Sequence, residues 1–199
     1  MKELQLKILK LLIEEPEQEF SINRIARIQK KPYAHVYNLT KELVKKNVLK
    51  LKLVPPAHIV QFHPKVPLSI ITGIEQARTE EFLEKHPWIS VYKKSVVETS
   101  PNPFFVLLVF GSYAKKKQTP KSDLDLLLIV PEKEDIQRFE PATKHYTKVR
   151  KSILVIDVQS FFDMIRNTVE FNVGNEARKH HIILHNIETY YHLIERAYQ

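Results

Sequence analysis

Residues 126–130 form an unbroken apolar run, and two aspartates, Asp123 and Asp125, stand directly before it. Such a run is typical of a strand that is buried on both faces of a sheet. In an extended chain residues i and i+2 point to the same side, so the two carboxylates are predicted to share a face. Their repulsion favours a divalent cation, and Mg²⁺ commonly takes one or two carboxylates together with phosphate oxygens. Asp123 and Asp125 are therefore candidate metal ligands and catalytic residues.

A second apolar segment, residues 104–110, ends at Gly111 and Ser112. A residue without a side chain lets the backbone approach a ligand closely. If a helix begins at Tyr113, its first free amides and the Ser112 hydroxyl form a site of the kind that holds phosphate. The sequence thus predicts a phosphate site beside the pair of carboxylates.

A further strand is predicted over residues 152–158, with Asp157 near its end. A third carboxylate should complete the site, and we predict Asp157 for that place. The alternative is that Asp157 is a turn or cap residue at the end of its strand.

The spacing of these residues resembles the signature of the minimal nucleotidyltransferases of the polymerase-beta-like superfamily. In this pattern a Gly-Ser pair, here Gly111 and Ser112, is followed after nine residues by Ser-Asp-x-Asp, here residues 122–125. Asp157 matches the third carboxylate of the family, and residues 181–194 resemble its closing strand and helix. The resemblance implies that Asp157 ligates a second metal ion, which with the first stabilises the attacking and leaving oxygens, or accepts the hydroxyl proton. The resemblance implies an α+β domain with a mixed sheet flanked by helices, and Mg²⁺-dependent transfer of a nucleoside monophosphate, AMP from ATP in first place, to an acceptor hydroxyl. It also implies nucleotide-binding roles for Gly111, Ser112, Lys115 and Ser122.

The chain departs from the family pattern after the Gly-Ser pair. Family members usually carry Ala-Arg-Gly where this chain has Ala114, Lys115 and Lys116. Lys115 keeps the charge without the two-pronged geometry of arginine, and Lys116 is strained if its backbone needs a positive φ. Two functions therefore stay open: an active transferase, or a regulator whose nucleotidyltransferase-like domain only senses nucleotide or dimerises. For a transferase the acceptor is a protein side chain, which we favour, an RNA end or a small hydroxylated molecule.

The first third of the chain carries nearly all of the excess positive charge. Residues 1–65 contain 13 Lys and Arg against 6 Asp and Glu, whereas residues 66–199 contain 18 against 17. A basic module favours an anionic partner, most simply nucleic acid, because its contacts to phosphate release counterions.

Apolar periodicity predicts helices up to about Glu15, from Ser21 to Ile28 and from Pro32 to about Lys46, followed by two short strands. This order resembles a winged helix-turn-helix domain, in which the third helix enters the major groove of DNA. The candidate DNA-binding residues lie on that helix and on the first strand after it: Lys31, Tyr33, His35, Tyr37, Asn38, Lys41, Lys50 and Lys52. The alternative is a winged helix used for protein contact or dimerisation.

Together the patterns predict an α+β chain of two domains, a winged helix over residues 1–65 and a nucleotidyltransferase over residues 66–199. The expected partners are a nucleoside triphosphate with Mg²⁺, DNA, a protein acceptor and a second copy of the chain, since winged-helix proteins are often dimers. The chain has no cysteine, which excludes disulfides and thiolate metal sites. With no long apolar segment either, we expect a soluble cytoplasmic protein without membrane contact.

Overall fold

A computed structural model of the protein describes residues 1–144, 150–167, 169 and 172–198. Contacts divide the chain into two compact units, Met1–Ile74 and Glu75–Gln199. Among the residues that the structure describes, no helix combines the length and the apolar character that crossing a membrane requires.

The first unit contains helices and a small antiparallel sheet. Its elements are, in chain order, α1 (Glu3–Glu14), β1 (Phe20–Ser21), α2 (Ile22–Ile28), α3 (Tyr33–Lys45), β2 (Leu49–Val54) and β3 (Ala57–Phe62). Strand β3 lies between β1 and β2 and pairs antiparallel with both. The predicted helices and the following hairpin are confirmed. Strand β1 is not predicted, because two residues are too few to show a period.

Local signals set the ends of these helices. The Ser21 hydroxyl accepts a hydrogen bond of 3.2 Å from the Arg24 amide and caps α2, as predicted. Asn47 follows α3 in the left-handed conformation, with φ of 53°, and stops the helix in place of the usual glycine. The apolar faces of the helices close on one core, in which Ile8, Ile25 and Leu49 are fully buried.

Helix α4 (Leu68–Lys85) contains the boundary between the two units. The domain boundary that the sequence predicts between residues 65 and 66 stays a prediction. The second unit continues with α5 (Pro87–Thr99), β4 (Val106–Phe110), α6 (Gly111–Ala114), β5 (Leu124–Val130), α7 (Asp135–Lys144), β6 (Lys151–Asp157), α8 (Val158–Arg166), α9 (Val173–Lys179), β7 (Ile182–His185) and α10 (Ile187–Ala197).

The described strands of the second unit form a mixed sheet in the order β6-β5-β4-β7, in which β5 and β6 are parallel and the other pairs are antiparallel. Strand β5 is central and lies in two apolar layers. Leu124, Leu126 and Leu128 pack in a layer with residues of α5 and α7. Leu127 and Ile129 pack on the opposite face with residues of α8 and α10. The mixed sheet flanked by helices confirms the predicted α+β class of this unit.

Candidate active site

The two motif aspartates lie at the start of the central strand. Asp125 is the second residue of β5 and is half-buried, whereas Asp123 precedes the strand and is exposed. Burial, and then the negative charge of Asp123, raise the pKa of Asp125 above its ordinary value. The two carboxylates therefore interact, as their spacing predicts. A cation that binds both would favour the charged form of Asp125.

Gly111 lies beside Asp125, directly after the end of the neighbouring strand β4. In the antiparallel register of β4 and β5, Phe110 is paired with Asp125, so Gly111 follows directly beside the carboxylate. Gly111 has a φ of +66°, and a Cβ atom built there would overlap Asp125 Oδ2 and lie 3.1 Å from its Cγ. Only glycine fits this position without displacing Asp125.

The helix after β4 begins two residues earlier than the sequence predicts. Helix α6 begins at Gly111 itself, and the Lys117 amide donates a 2.9 Å hydrogen bond to the Ser112 carbonyl. Lys116 lies in the left-handed region with a φ of 57°. A glycine is favoured in that conformation, so the lysine carries a local strain.

Two of the predicted phosphate-binding side chains, Lys115 and Ser122, are already engaged in other contacts. Lys115 forms an ion pair with Glu176 of α9, a carboxylate that is largely buried. The Ser122 hydroxyl accepts a 2.9 Å hydrogen bond from the Thr119 amide and closes the loop before β5. Sequence reasoning missed Glu176, because a glutamate in a short helix far along the chain carries no signal for contact with Lys115.

Asp157 does not join the pair, which corrects the prediction of a third ligand or base there. In the parallel register, Asp125 is level with Ser152, whereas Asp157 is level with Val130 at the other end of β5. Five residues of strand separate the two levels, about 16 Å at roughly 3.3 Å per residue. The Asp157 carboxylate instead accepts a 2.6 Å hydrogen bond from the Ser160 amide and caps α8. The cap alternative is the one that the structure supports.

The donor set at this site therefore consists of two carboxylates. Among the described residues, no group of three or more histidine, aspartate or glutamate side chains is placed to hold a metal ion. Two carboxylates still fit Mg²⁺, which commonly takes one or two from the protein and the rest of its oxygens from phosphate and water.

The histidines near the end of the chain are not gathered into a metal centre in the described residues. His181 is buried, and its imidazole contacts Glu75 Oε1 at 3.1 Å and the Ala177 carbonyl at 2.8 Å. Arg78 and Tyr191 also bond to the Glu75 carboxylate, at 2.5 and 2.6 Å. None of the motifs predicted from the sequence includes this buried polar network. The i, i+3 spacing of Glu75 and Arg78 in α4 is the signal that points to it.

The predicted DNA-binding residues lie on the surface of the first unit. Tyr37 is half-buried, and the remaining predicted residues are exposed: Lys31, Tyr33, His35, Asn38, Lys41, Lys50 and Lys52. The rings of Tyr33 and Tyr37 stack with centroids 5.9 Å apart. Lys41 Nζ lies 5.0 Å from the Tyr37 ring centroid, and a hydrogen bond with Tyr37 raises the pKa of Lys41. Helix α3 thus presents two tyrosines and a lysine along one side.

Residues 89–183 match a family model described as a nucleotidyltransferase domain. The matched stretch contains Gly111, the two motif aspartates and the whole of strands β4, β5 and β6. The match covers slightly less than half of the chain, and together with the mixed sheet it supports a relation of the second unit to the nucleotidyltransferase superfamily and to the general class of nucleotidyl transfer. No curated protein and no solved structure matches the chain significantly.

Proposed function

We propose that the second unit binds a nucleoside triphosphate, with ATP as the preferred candidate, and Mg²⁺ at Asp123 and Asp125. The unit transfers the nucleoside monophosphate to an acceptor hydroxyl, for which a protein side chain is our preferred class. The observation that carries this proposal is the contact of a half-buried Asp125 carboxylate with Gly111, inside the stretch that matches the nucleotidyltransferase model.

Each residue of the site has a separate role in this proposal. Asp123 and Asp125 would hold the cation, which supplies positive charge to the phosphates and to the transferring group. Gly111 leaves room for the Asp125 carboxylate, and the Ser112 hydroxyl donates to a phosphate oxygen. The acceptor oxygen forms a bond to the α-phosphorus as the bond to pyrophosphate breaks. The hydroxyl proton passes to solvent, because Asp157 lies at the other end of β5 and cannot accept it.

Lys115 can bind a phosphate of the nucleotide only if it gives up its ion pair with Glu176. Its ammonium group is paired with Glu176, so a phosphate must compete with a carboxylate for the same charge. This competition lowers the affinity gained from Lys115 compared with a lysine that faces only water.

We also propose that the first unit is a winged helix that binds DNA. The order of its helices and hairpin, its excess of basic residues and the exposed tyrosines and lysines of α3 support this proposal. The partner is double-stranded DNA, with α3 toward the bases and Lys50 and Lys52 of β2 toward the phosphates.

A second candidate function is nucleotide sensing by a DNA-binding regulator. The specific observations in its favour are the distance of Asp157 from the carboxylate pair and the left-handed Lys116. The two candidates differ in one product: a transferase leaves the α-phosphate of the nucleotide on an acceptor, whereas a sensor releases the nucleotide unchanged.

The experiment that tests the nucleotide site is calorimetric titration of ATP with and without Mg²⁺. We expect Mg²⁺-dependent binding to the native protein and its loss in the Asp123→Asn, Asp125→Asn double variant. The matched control is the Glu84→Gln, Asp163→Asn variant, which removes two exposed negative charges elsewhere in the second unit. If the native protein binds no triphosphate in the presence of Mg²⁺, the proposed site is wrong.

A further inference from the structure

Ser152 lies beside Asp125 at the start of the neighbouring strand. The two residues are level in the parallel register of β5 and β6. The next pairs on the same side, Leu127 with Leu154 and Ile129 with Ile156, pack in one apolar layer. Because side chains alternate along a strand, Ser152 projects from the same face of the sheet as Asp125.

This position is the one from which a third acidic side chain would reach the site. Neighbouring strands are about 4.8 Å apart, and two metal ions in a shared site are roughly 3.5 to 4 Å apart. A carboxylate at position 152 could therefore share a second cation with Asp125. Ser152 is exposed, so no packed neighbour would prevent a longer side chain there.

Among the described residues, the other neighbours of the pair offer no replacement. On the opposite side of β5, the strand β4 ends at Phe110 and is followed by Gly111, and neither residue can bind a cation through its side chain. The residue before β6 is the exposed Arg150, whose carbonyl accepts the Leu124 amide hydrogen bond at 3.0 Å.

We infer that Ser152 takes the place of a third carboxylate, so that the Asp123 and Asp125 pair holds a single divalent cation with the nucleotide. This inference rests on the proposed nucleotide site and states its metal content. Nucleotide binding needs only the cation that the pair holds. The second cation, which would assist the attacking oxygen, finds no third carboxylate among the described residues. Replacing Ser152 by aspartate supplies that ligand.

The test measures the number of metal ions bound per chain and does not depend on detecting a reaction product. The native protein, Ser152→Asp and the matched neutral control Ser152→Asn are saturated with α,β-methylene ATP, and bound Mn²⁺ is measured by equilibrium dialysis and by native mass spectrometry. We expect one Mn²⁺ per chain with nucleotide in the native protein and in Ser152→Asn, and twice that amount in Ser152→Asp. Thermal unfolding of all three proteins checks that each is folded.

Three results would overturn the inference. Two Mn²⁺ per native chain would mean that another group already serves as the third ligand. One Mn²⁺ in a folded Ser152→Asp would mean that position 152 does not face the cation site. In both cases the nucleotide site itself would stand, whereas a native protein that binds neither Mn²⁺ nor nucleotide would overturn the proposed function together with the inference.

Discussion

Gly111 leaves the space that the carboxylate of Asp125 occupies: a Cβ atom at residue 111 would overlap Asp125 Oδ2. Gly111 directly follows β4, Asp125 belongs to the neighbouring antiparallel strand β5, and the register that pairs Phe110 with Asp125 brings the two residues together. Because Gly111 also has a φ of +66°, both space and backbone conformation require glycine there.

Gly111→Ala is expected to abolish Mg²⁺-dependent ATP binding and to destabilise the second unit, by about 1–3 kcal/mol for overpacking and backbone strain together. Titration calorimetry and thermal unfolding measure the two effects. The matched control is Gly73→Ala in α4, where a Cβ meets nothing within 4 Å and alanine should stabilise the helix by about 0.5–1 kcal/mol. Unchanged ATP binding in Gly111→Ala would show that the nucleotide site does not require glycine at this position.

Replacing Lys116 by glycine is expected to stabilise the protein. Lys116 has a φ of 57°. Glycine has no Cβ and avoids the steric cost of this left-handed conformation, which should raise the free energy of unfolding by about 1 kcal/mol. Lys117→Gly removes the same charge from a neighbouring exposed residue without a positive φ, so it should not stabilise. Chemical denaturation of both variants decides whether the strain at residue 116 is real, and equal stabilities would show that it is not.

Asp157 is expected to act on stability and not on nucleotide binding. Its carboxylate caps α8, so Asp157→Ala should cost about 1 kcal/mol of unfolding free energy. Asp157→Asn keeps a capping oxygen and should cost less. Calorimetry should find the same Mg²⁺-dependent ATP affinity in both variants as in the native protein. A large loss of ATP affinity in Asp157→Asn would show that Asp157 takes part in binding the metal ion and the nucleotide.

The buried network of Glu75 makes the second unit sensitive to acid. Burial raises the pKa of Glu75, but the charge and hydrogen bond of His181, with Arg78 and Tyr191, outweigh burial and lower the pKa from 4.5 to about 2. The unfolded chain therefore takes up this proton at a higher pH than the folded protein. The stabilisation is present above about pH 4.5 and is lost as the pH falls towards 2.

Glu75→Gln should therefore be destabilised at neutral pH by about 3–5 kcal/mol, because it removes the carboxylate partner of the buried Arg78. The difference from the native protein should shrink as the pH falls below 4.5. Glu80→Gln, on the exposed side of the same helix, should stay within about 0.5 kcal/mol of the native protein. Denaturant titrations between pH 7 and pH 3 measure all three, and a difference independent of pH would contradict the assigned charge state.

Lys41→Ala should weaken binding of the first unit to duplex DNA and reduce its salt dependence. If Lys41 contacts one phosphate, the slope of log affinity against log salt should fall by about 1. Lys94→Ala removes an equal charge from the exposed surface of α5 in the second unit and should leave the slope unchanged. Fluorescence anisotropy over a range of salt concentrations measures both variants, and identical slopes would favour protein contact or dimerisation as the role of α3.

Local sequence determined the elements of this protein and the faces of its central strand. The apolar run before Val130, the cap at Ser21 and the stop at Asn47 all act within a few residues, so period and residue type are enough to predict them. Alternation along an extended chain predicts a shared face for Asp123 and Asp125, and the resemblance to the nucleotidyltransferase signature indicates Gly111.

The tertiary structure alone decided which groups meet around those aspartates. Both Asp157 and Ser152 belong to β6, and only the pairing of β6 with β5 places Ser152 beside Asp125 and Asp157 at the far end. The partnership of Lys115 with Glu176 likewise depends on where α9 packs. Strand register is set by burial of whole apolar faces, a sum over many distant side chains. Local spacing therefore identified the carboxylate pair, and the packed sheet determined its neighbours.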